Sequence, residues 1–330
     1  MGFDFLFETR FEGERNAISE IDALLNGAGK YVSFDSLTRI MLLNNAFTSD
    51  AFKDYARSGD VSKFSRQMKD EMRTPGNDGK PDGGYKAAMK DQRIAGFVKS
   101  NRLELKALGL IRPEMRIDIF PKKSFFLQFK IRLAKDYISR DDEDFYIIDN
   151  PVRKEKVFKV PMVVSTSWKG NLRWMMRKRK QDKELIDYLF GPDGSEESLY
   201  QGSLSFFSTF FDRISIDLVN PHSRKTKTPT SGPIIFETIP KGSEGWFSLL
   251  YFSQGLNTAL SPLNHAVQSL RELMTVYGFS AKRKAGYGIV AADKSAPLEG
   301  RLLMPQEAER KFSSFDELSK LANEIGQTNQ

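Results

Sequence analysis

Hydrophobic and polar positions divide this chain into two kinds of pattern. Up to residue 112, stretches such as Ile18–Leu25, Ser36–Tyr55 and Tyr85–Leu108 mix apolar and polar residues without strict alternation, which predicts helices. Between them, Thr74 to Gly84 is dense in Pro, Gly, Asn and Asp and predicts a loop. After Ile111-Arg112-Pro113 the period changes. Phe125, Leu127, Phe129, Ile131 and Leu133 alternate with Phe126, Gln128, Lys130 and Arg132, predicting a strand with one buried and one partly basic face. Ser165-Thr166-Ser167 offers N-caps to a helix that is expected to run towards Leu189-Phe190-Gly191, where glycine stops it.

Further along, Ser203–Val219 is strand-like. Pro233–Ile239 and Trp246–Phe252 are expected to be two strands joined by the turn Pro240-Lys241-Gly242-Ser243. Pro262 opens a helix whose apolar stripe is Leu263, Val267, Leu270 and Met274. Tyr287–Ala292 reads as a short strand, and Pro305–Ile325 as a polar helix. From 114 to about 293 the order is strand, helix, strand, strand, helix, strand. That is the split βαβ order of an α+β, ferredoxin-like (RRM-like) fold, a common platform for RNA. The expected organisation is therefore a mainly helical region over 1–112, the ferredoxin-like domain over 113–300 and a helical tail over 301–330.

Charge sharpens the picture. The 330 residues carry a net +7, yet residues 151–180 hold ten Lys or Arg against one acid, Glu155. This block of +9 exceeds the charge of the whole chain, and a solvated face ordinarily mixes signs. A phosphate-bearing partner explains it better than a soluble basic surface. The absence of cysteine excludes disulfides, thiolate nucleophiles and cysteine zinc sites. No apolar run is long enough to span a bilayer, and the start Met1-Gly2-Phe3-Asp4 carries acid without a basic and apolar leader. A cytoplasmic protein without a membrane partner is expected.

Two places combine cations with special backbone. Ser167, Lys169 and Arg173 lie at a helix start, where free N–H groups favour an anion, and Lys169 and Arg173 are four apart on one face. Gly170 would let a ligand strand approach. Lys282-Arg283-Lys284 precedes Gly286-Tyr287-Gly288, whose glycines permit a turn that aims N–H groups at phosphate. Tyr287 either stacks on a base or packs under the sheet. Lys154, Lys156 and Arg177 extend the basic surface. The only histidines are His222 and His265. His222, in a basic loop with Arg224, suits an RNA contact, whereas His265 suits a structural place in a helix. Such contacts read backbone rather than bases.

Three stretches together resemble the RAMP superfamily, the backbone proteins of type III CRISPR effector complexes. They are Ile148-Asp149-Asn150-Pro151-Val152 with its basic continuation, Val160-Pro161 through Ser165-Thr166-Ser167-Trp168-Lys169-Gly170-Asn171-Leu172-Arg173, and Lys282-Arg283-Lys284-Ala285-Gly286-Tyr287-Gly288. The second departs from the family signature in lacking a glycine before the serines and in having Trp168 for leucine. Leu189-Phe190-Gly191, Gly202–Phe206 and Asn220-Pro221-His222 are smaller echoes, the last resembling the terminal subunit of Cmr-type complexes. The resemblance covers about 145–293. It implies a subunit that binds guide RNA and target RNA and stacks on other RAMP and type III subunits. It also implies a role for Asp149 in metal-dependent scission of target RNA, with Mg²⁺ as the ion and no tightly bound cofactor. The alternative for Asp149 is a turn cap before Pro151. An RNA-binding protein outside CRISPR is the third reading. For Asp141, Asp142 and Asp144 a solvated loop is expected, and no metal ligand is assigned.

Overall fold

The computed structural model describes residues 14–34, 38–39, 42–43, 50–60, 63, 84–85, 89, 96–141, 147–148, 150–192, 200–219, 234–254, 262–292 and 297–328. In chain order the elements are helices α1 (Glu14–Asn26), α2 (Asp50–Ser58) and α3 (Gly96–Ala107), strands β1 (Phe125–Arg132) and β2 (Met162–Val163), and helices α4 (Ser165–Lys178) and α5 (Lys183–Phe190). Strands β3 (Leu204–Phe206), β4 (Thr209–Phe210), β5 (Ser215–Val219), β6 (Ile234–Thr238) and β7 (Glu244–Tyr251) follow. Helix α6 (Pro262–Glu272), strands β8 (Gly300–Leu303) and β9 (Arg310–Phe312) and helix α7 (Phe315–Thr328) complete the chain. The chain divides into two compact units, and neither is a continuous stretch. The first comprises 1–101, 140–152 and 214–238; the second comprises 102–139, 153–213 and 239–330.

The second unit is built on a five-stranded sheet in the order β3-β7-β1-β8-β9, every neighbouring pair antiparallel. Taking β1, β3, β7 and β8 as the four strands of the βαββαβ unit, with α4 and α6 as its helices, this order is 2-3-1-4, the ferredoxin-like arrangement with β9 added at one edge. The alternation in β1 finds the helix-side face, but the opposite face is buried too, at Phe126 and Gln128, and opens only at Lys130 and Arg132. Phe129 meets Phe247 at 5.1 Å and Phe315 at 5.7 Å on the helix side. Leu263, Val267, Leu270 and Met274 are all buried, as their spacing requires.

The other sheet face is not an open platform. Phe126 lies under Ile117 and Leu250, with Met115, Phe120 and Phe207 packed around them. Beside it Gln128, fully buried, accepts from Arg301 Nε at 2.9 Å and donates to Ser248 Oγ and the Pro113 carbonyl, both at 3.0 Å. Its amide is thus satisfied on both sides, as burial demands. At the strand's end Lys130 and Arg132 both reach Glu244, at 2.7 and 2.6 Å. Partial burial pushes the Glu244 carboxyl up, but hydrogen bonds from Lys130 and Arg132 outweigh it and hold the group below its ordinary value.

Several boundaries differ from the sequence reading. β6 does not pair with β7; it pairs with β5, in register from Ser215↔Thr238 to Val219↔Ile234. Tyr287–Ala292 contributes a single bridge, Val290 to Leu133, and the strand beside β1 is β8. The helix from 165 ends at Lys178 and restarts at Lys183. Lys180 is left-handed at φ 56, its N–H bonds to Arg177 O, and the Gln181 N–H bonds to Met176 O. That is a Schellman stop made without glycine. The tail holds β9 before α7, where one helix was expected.

Among the described residues the first unit carries helices α1 and α2, and the antiparallel β5–β6 ribbon belongs to it as well. Its polar interior centres on Glu237, fully buried, which accepts from Tyr85 Oη at 2.7 Å and the Val152 N–H at 3.2 Å. Among the described residues no helix is long and apolar enough to cross a membrane.

Candidate nucleic-acid interface

The α4 helix begins directly after Val164, in extended backbone, and no side chain caps it. Ser165-Thr166-Ser167 therefore occupies its first turn and does not supply the expected N-cap. The Ser165 N–H donates to Ser208 Oγ at 3.3 Å, and those of Ser167 and Trp168 donate to the Val164 carbonyl. Three of the N–H groups at this end already have acceptors within the protein.

Helical phase decides what the rest of α4 does. At roughly 100° per residue, Trp168, Leu172, Met175 and Met176 share one face, and all four are buried. Trp168 is fully buried. Its indole N–H donates to Thr209 Oγ1 at 3.0 Å, and its ring meets Phe247 at 5.0 Å and Phe279 at 4.5 Å. Lys169 and Arg173 flank this face on one side. Arg173 Nη2 donates to the Gly191 carbonyl at 2.8 Å and lies 3.8 Å from Asp187, so its guanidinium is turned to the end of α5. Asn171, Trp174 and Lys178 flank the buried face on the other side, and there they meet the C-terminal loop.

That loop is pinned to the strand end after β1. Gly288 N–H donates to Asp136 O at 2.8 Å, Ser280 Oγ exchanges hydrogen bonds with both backbone groups of Ile138, and Ala134 N–H donates to Ile289 O. Tyr137, whose hydroxyl burial pushes up to about 12 against a lowering bond with Ser139, lies 5.5 Å from Phe279. The α6 helix runs into this loop through a wide turn, Leu273–Tyr277, closed by the Gly278 N–H to Leu273 O bond. Gly288 has φ 73, and a Cβ there would meet Ser280 N and Cβ at 2.7 Å. Gly286 has φ 83 but open space around it. Gly286→Ala is expected to cost about 1–2 kcal/mol of stability from the left-handed backbone alone. Gly288→Ala should cost clearly more, read as a lower urea midpoint; equal midpoints for the two variants would contradict the packed loop.

The two segments come together around the aromatic ring of Trp174. The Arg283 guanidinium carbon lies 4.1 Å from the Trp174 ring centre, and Arg283 Nη1 is 3.5 Å from Asn171 Oδ1. Asn171 Nδ2 reaches back to Ser167 O at 2.9 Å and Phe279 O at 3.4 Å. Tyr277 stands edge-on to Trp174 at 5.7 Å. Lys178 Nζ lies 4.9 Å from the Tyr277 ring and 5.6 Å from that of Trp174. Trp174, Lys178, Tyr277 and Arg283 border a cavity of about 690 Å³ that Lys282 and Lys284 also line. None of its described lining residues is acidic. Trp174, Lys178 and Tyr277 were not singled out from sequence; the signal was the spacing of 171, 174 and 178, which puts them on one helical stripe.

The other expected residues are dispersed. The start of the basic block, Arg153–Met162, is a tight hairpin closed by the Glu155 N–H to Val160 O and Met162 N–H to Arg153 O bonds. Lys156 is exposed near its tip. Lys154 is 3% exposed, which differs from the surface phosphate contact expected of it. Arg177 is exposed on the outer side of α4, and Tyr287 is partly buried in the pinned loop. His265 sits in α6; burial and then the nearby Arg179 charge lower its pKa, against Asp182. Asp149, His222 and Arg224 lie outside the described residues, as do Asp142 and Asp144. The segment flanking Asp149 is held: Arg57 Nε donates to Ile147 O at 2.5 Å, and Glu237 N–H donates to Asn150 O at 3.0 Å. Among the described residues no group of three or more His, Asp or Glu is placed to hold a metal ion.

Residues 144–291 match the family model of the RAMP superfamily, a little under half of the chain. The match spans all three motif stretches. No curated protein matches the chain. Among solved structures, a chain of the type III-B Cmr-beta bound to cognate target RNA shares 14% identity at TM-score 0.48, covering 90% of this chain and 99% of that one. A chain of the Csm3-Csm4 subcomplex in the type III-A CRISPR-Cas interference complex shares 16% identity at TM-score 0.41, covering 62% and 97%. Both TM-scores fall below 0.5, and the functional reading rests on the site and the family match.

Proposed function

With residues 144–291 matching the RAMP superfamily, we propose that this chain is a guide-RNA-binding backbone subunit of a type III CRISPR ribonucleoprotein. One observation carries the reading. Inside the matched segment, one stripe of α4 and the Lys282–Lys284 turn converge on a cleft lined by cations and by no described acid. Cations gathered on a pinned backbone, in a cleft with no acidic lining residue, suit a polyanion that is held by its phosphates whatever its sequence. Guide RNA is such a ligand, because each guide differs. The partners would be guide RNA, the paired target RNA and neighbouring RAMP subunits. Purifying the chain from its native host and sequencing co-purified RNA tests the proposal. Repeat-derived guides of uniform length are the expected result. Unrelated cellular RNA would favour an RNA-binding protein outside CRISPR, and absence of nucleic acid would sink both.

A second reading makes the chain an endoribonuclease through Asp149, with Mg²⁺ drawn from solution. Its support is the fixing of the residues around that position by Arg57 and by the β6 backbone. In the assembled complex with matched target RNA and Mg²⁺, Asp149→Ala should reduce cleavage at least a hundredfold on this reading, within the range typical of acid–base groups. Undiminished cleavage leaves the chain as a binding subunit alone.

A further inference from the structure

We propose that the cleft between α4 and the C-terminal loop is a pocket for one nucleotide, which stacks the base as well as holding its phosphate. The proposal rests on the RNA-binding reading and goes further, because a site that only tracks a backbone needs cations and no aromatic wall. This cleft has both. Trp168 and Trp246 are 0% and 9% exposed and belong to the core, whereas Trp174 is only half-buried and faces the cavity with Tyr277. Aromatic rings left partly open beside cations are the surfaces on which unstacked bases settle, and an Arg plane adds to them.

The volume agrees. About 690 Å³ lies in the middle of the range for small-molecule sites, roughly 300–1,000 Å³, and is room for a base, a ribose and a phosphate. Val276, 64% exposed at the rim, offers an apolar surface that a bound ribose or base would cover. The cleft holds a cation on each ring: Arg283 over Trp174 and Lys178 over Tyr277. A base entering there displaces a cation from a ring face towards the phosphate, so charge and stacking act together. The loop that carries the lining residues 281–285 is pinned on both sides, since Ser280, Gly288 and Val290 are hydrogen-bonded to Ile138, Asp136 and Met274. A pre-set pocket binds with less ordering cost. The described lining holds no neutral amide and no carboxylate side chain to read a base edge. The pocket should accept any base, with purines favoured by their larger stacking area.

The test is a tryptophan-fluorescence titration of the full chain. The probes are hexaadenylate, an abasic ribose-phosphate hexamer, AMP and inorganic phosphate. Hexaadenylate and AMP should quench emission, while the abasic hexamer and phosphate should not. Trp174→Leu, confirmed folded by its melting curve, should abolish the quench and weaken hexaadenylate binding on the order of tenfold or more. Trp174→Phe should restore most of the affinity. If folded Trp174→Leu binds hexaadenylate as tightly as wild type, or the abasic hexamer binds equally well, the pocket is a backbone contact only and the proposal is overturned. An AMP response without hexaadenylate binding would retain the pocket and overturn the RNA-binding reading instead. A quench by hexaadenylate but not by AMP supports an interior nucleotide, and a quench by both supports a terminal one as well.

Discussion

Trp168→Ala is expected to lower the stability of the chain by about 3–5 kcal/mol, the range for emptying a large aromatic site. Trp168 is fully buried between Phe247 and Phe279. Its indole also feeds a short chain of bonds: it donates to Thr209 Oγ1, which donates to the Trp246 carbonyl at 3.0 Å. Removing the ring leaves a cavity against the central strand and takes away the donor to a buried hydroxyl. Trp168→Phe fills most of the space but not the hydrogen bond, so a loss of about 1–3 kcal/mol is expected. Trp174→Ala, six residues along the same helix, should cost less than about 1 kcal/mol, because its ring lies at the edge of a cleft. Urea unfolding of the variants checks this, with the midpoint moving and the slope unchanged. A wild-type midpoint for Trp168→Ala would mean that the helix phase is wrong, and with it the assignment of Trp174 to the cleft.

This contrast also marks what the sequence made legible. The alternation from Phe125 to Leu133 was enough to find the central strand and its buried face, and the 263, 267, 270, 274 spacing found α6. Both are periodic over enough residues for the period to be unambiguous. The misread places were those where partners are distant. β6 has the same local pattern whether it pairs with β7 or β5, and only the assembled fold selects β5. Tyr287–Ala292 looks like a strand, yet its groups bond to the turn after β1 and to Met274 O, so β8 takes the place beside β1. Lys180 ends α4 in a left-handed conformation that lysine rarely adopts, and nothing in its neighbours signals it. In the site, the cations and glycines of 282–288 were visible because their composition is unusual. Trp174 was not, since a tryptophan reads as core until the helix face is known.

The largest functional effect expected is on the salt dependence of RNA binding, and it separates two groups of cations. Lys178, Lys282 and Lys284 border one cleft, whereas Arg173 is bonded to the Gly191 carbonyl and lies beside Asp187. If each of the three lysines meets one phosphate, the slope of log affinity against log salt changes by about 0.7 per contact on a single strand. The triple variant Lys178→Ala, Lys282→Ala, Lys284→Ala should therefore show a slope shallower by about 2. Its affinity at low salt should fall on the order of a hundredfold. Arg173→Ala should leave the slope within about half a unit of wild type and lower stability instead, by about 1–3 kcal/mol, because the carbonyl that ends α5 and Asp187 lose their cation. Filter binding of a single-stranded RNA at four or five salt concentrations, beside urea unfolding of each variant, measures both quantities. The decisive result is the slope: lost in the triple variant and kept in Arg173→Ala. If Arg173→Ala flattens the slope and the triple variant does not, RNA runs along the opposite flank of α4, and the cleft around Trp174 is not where it is held.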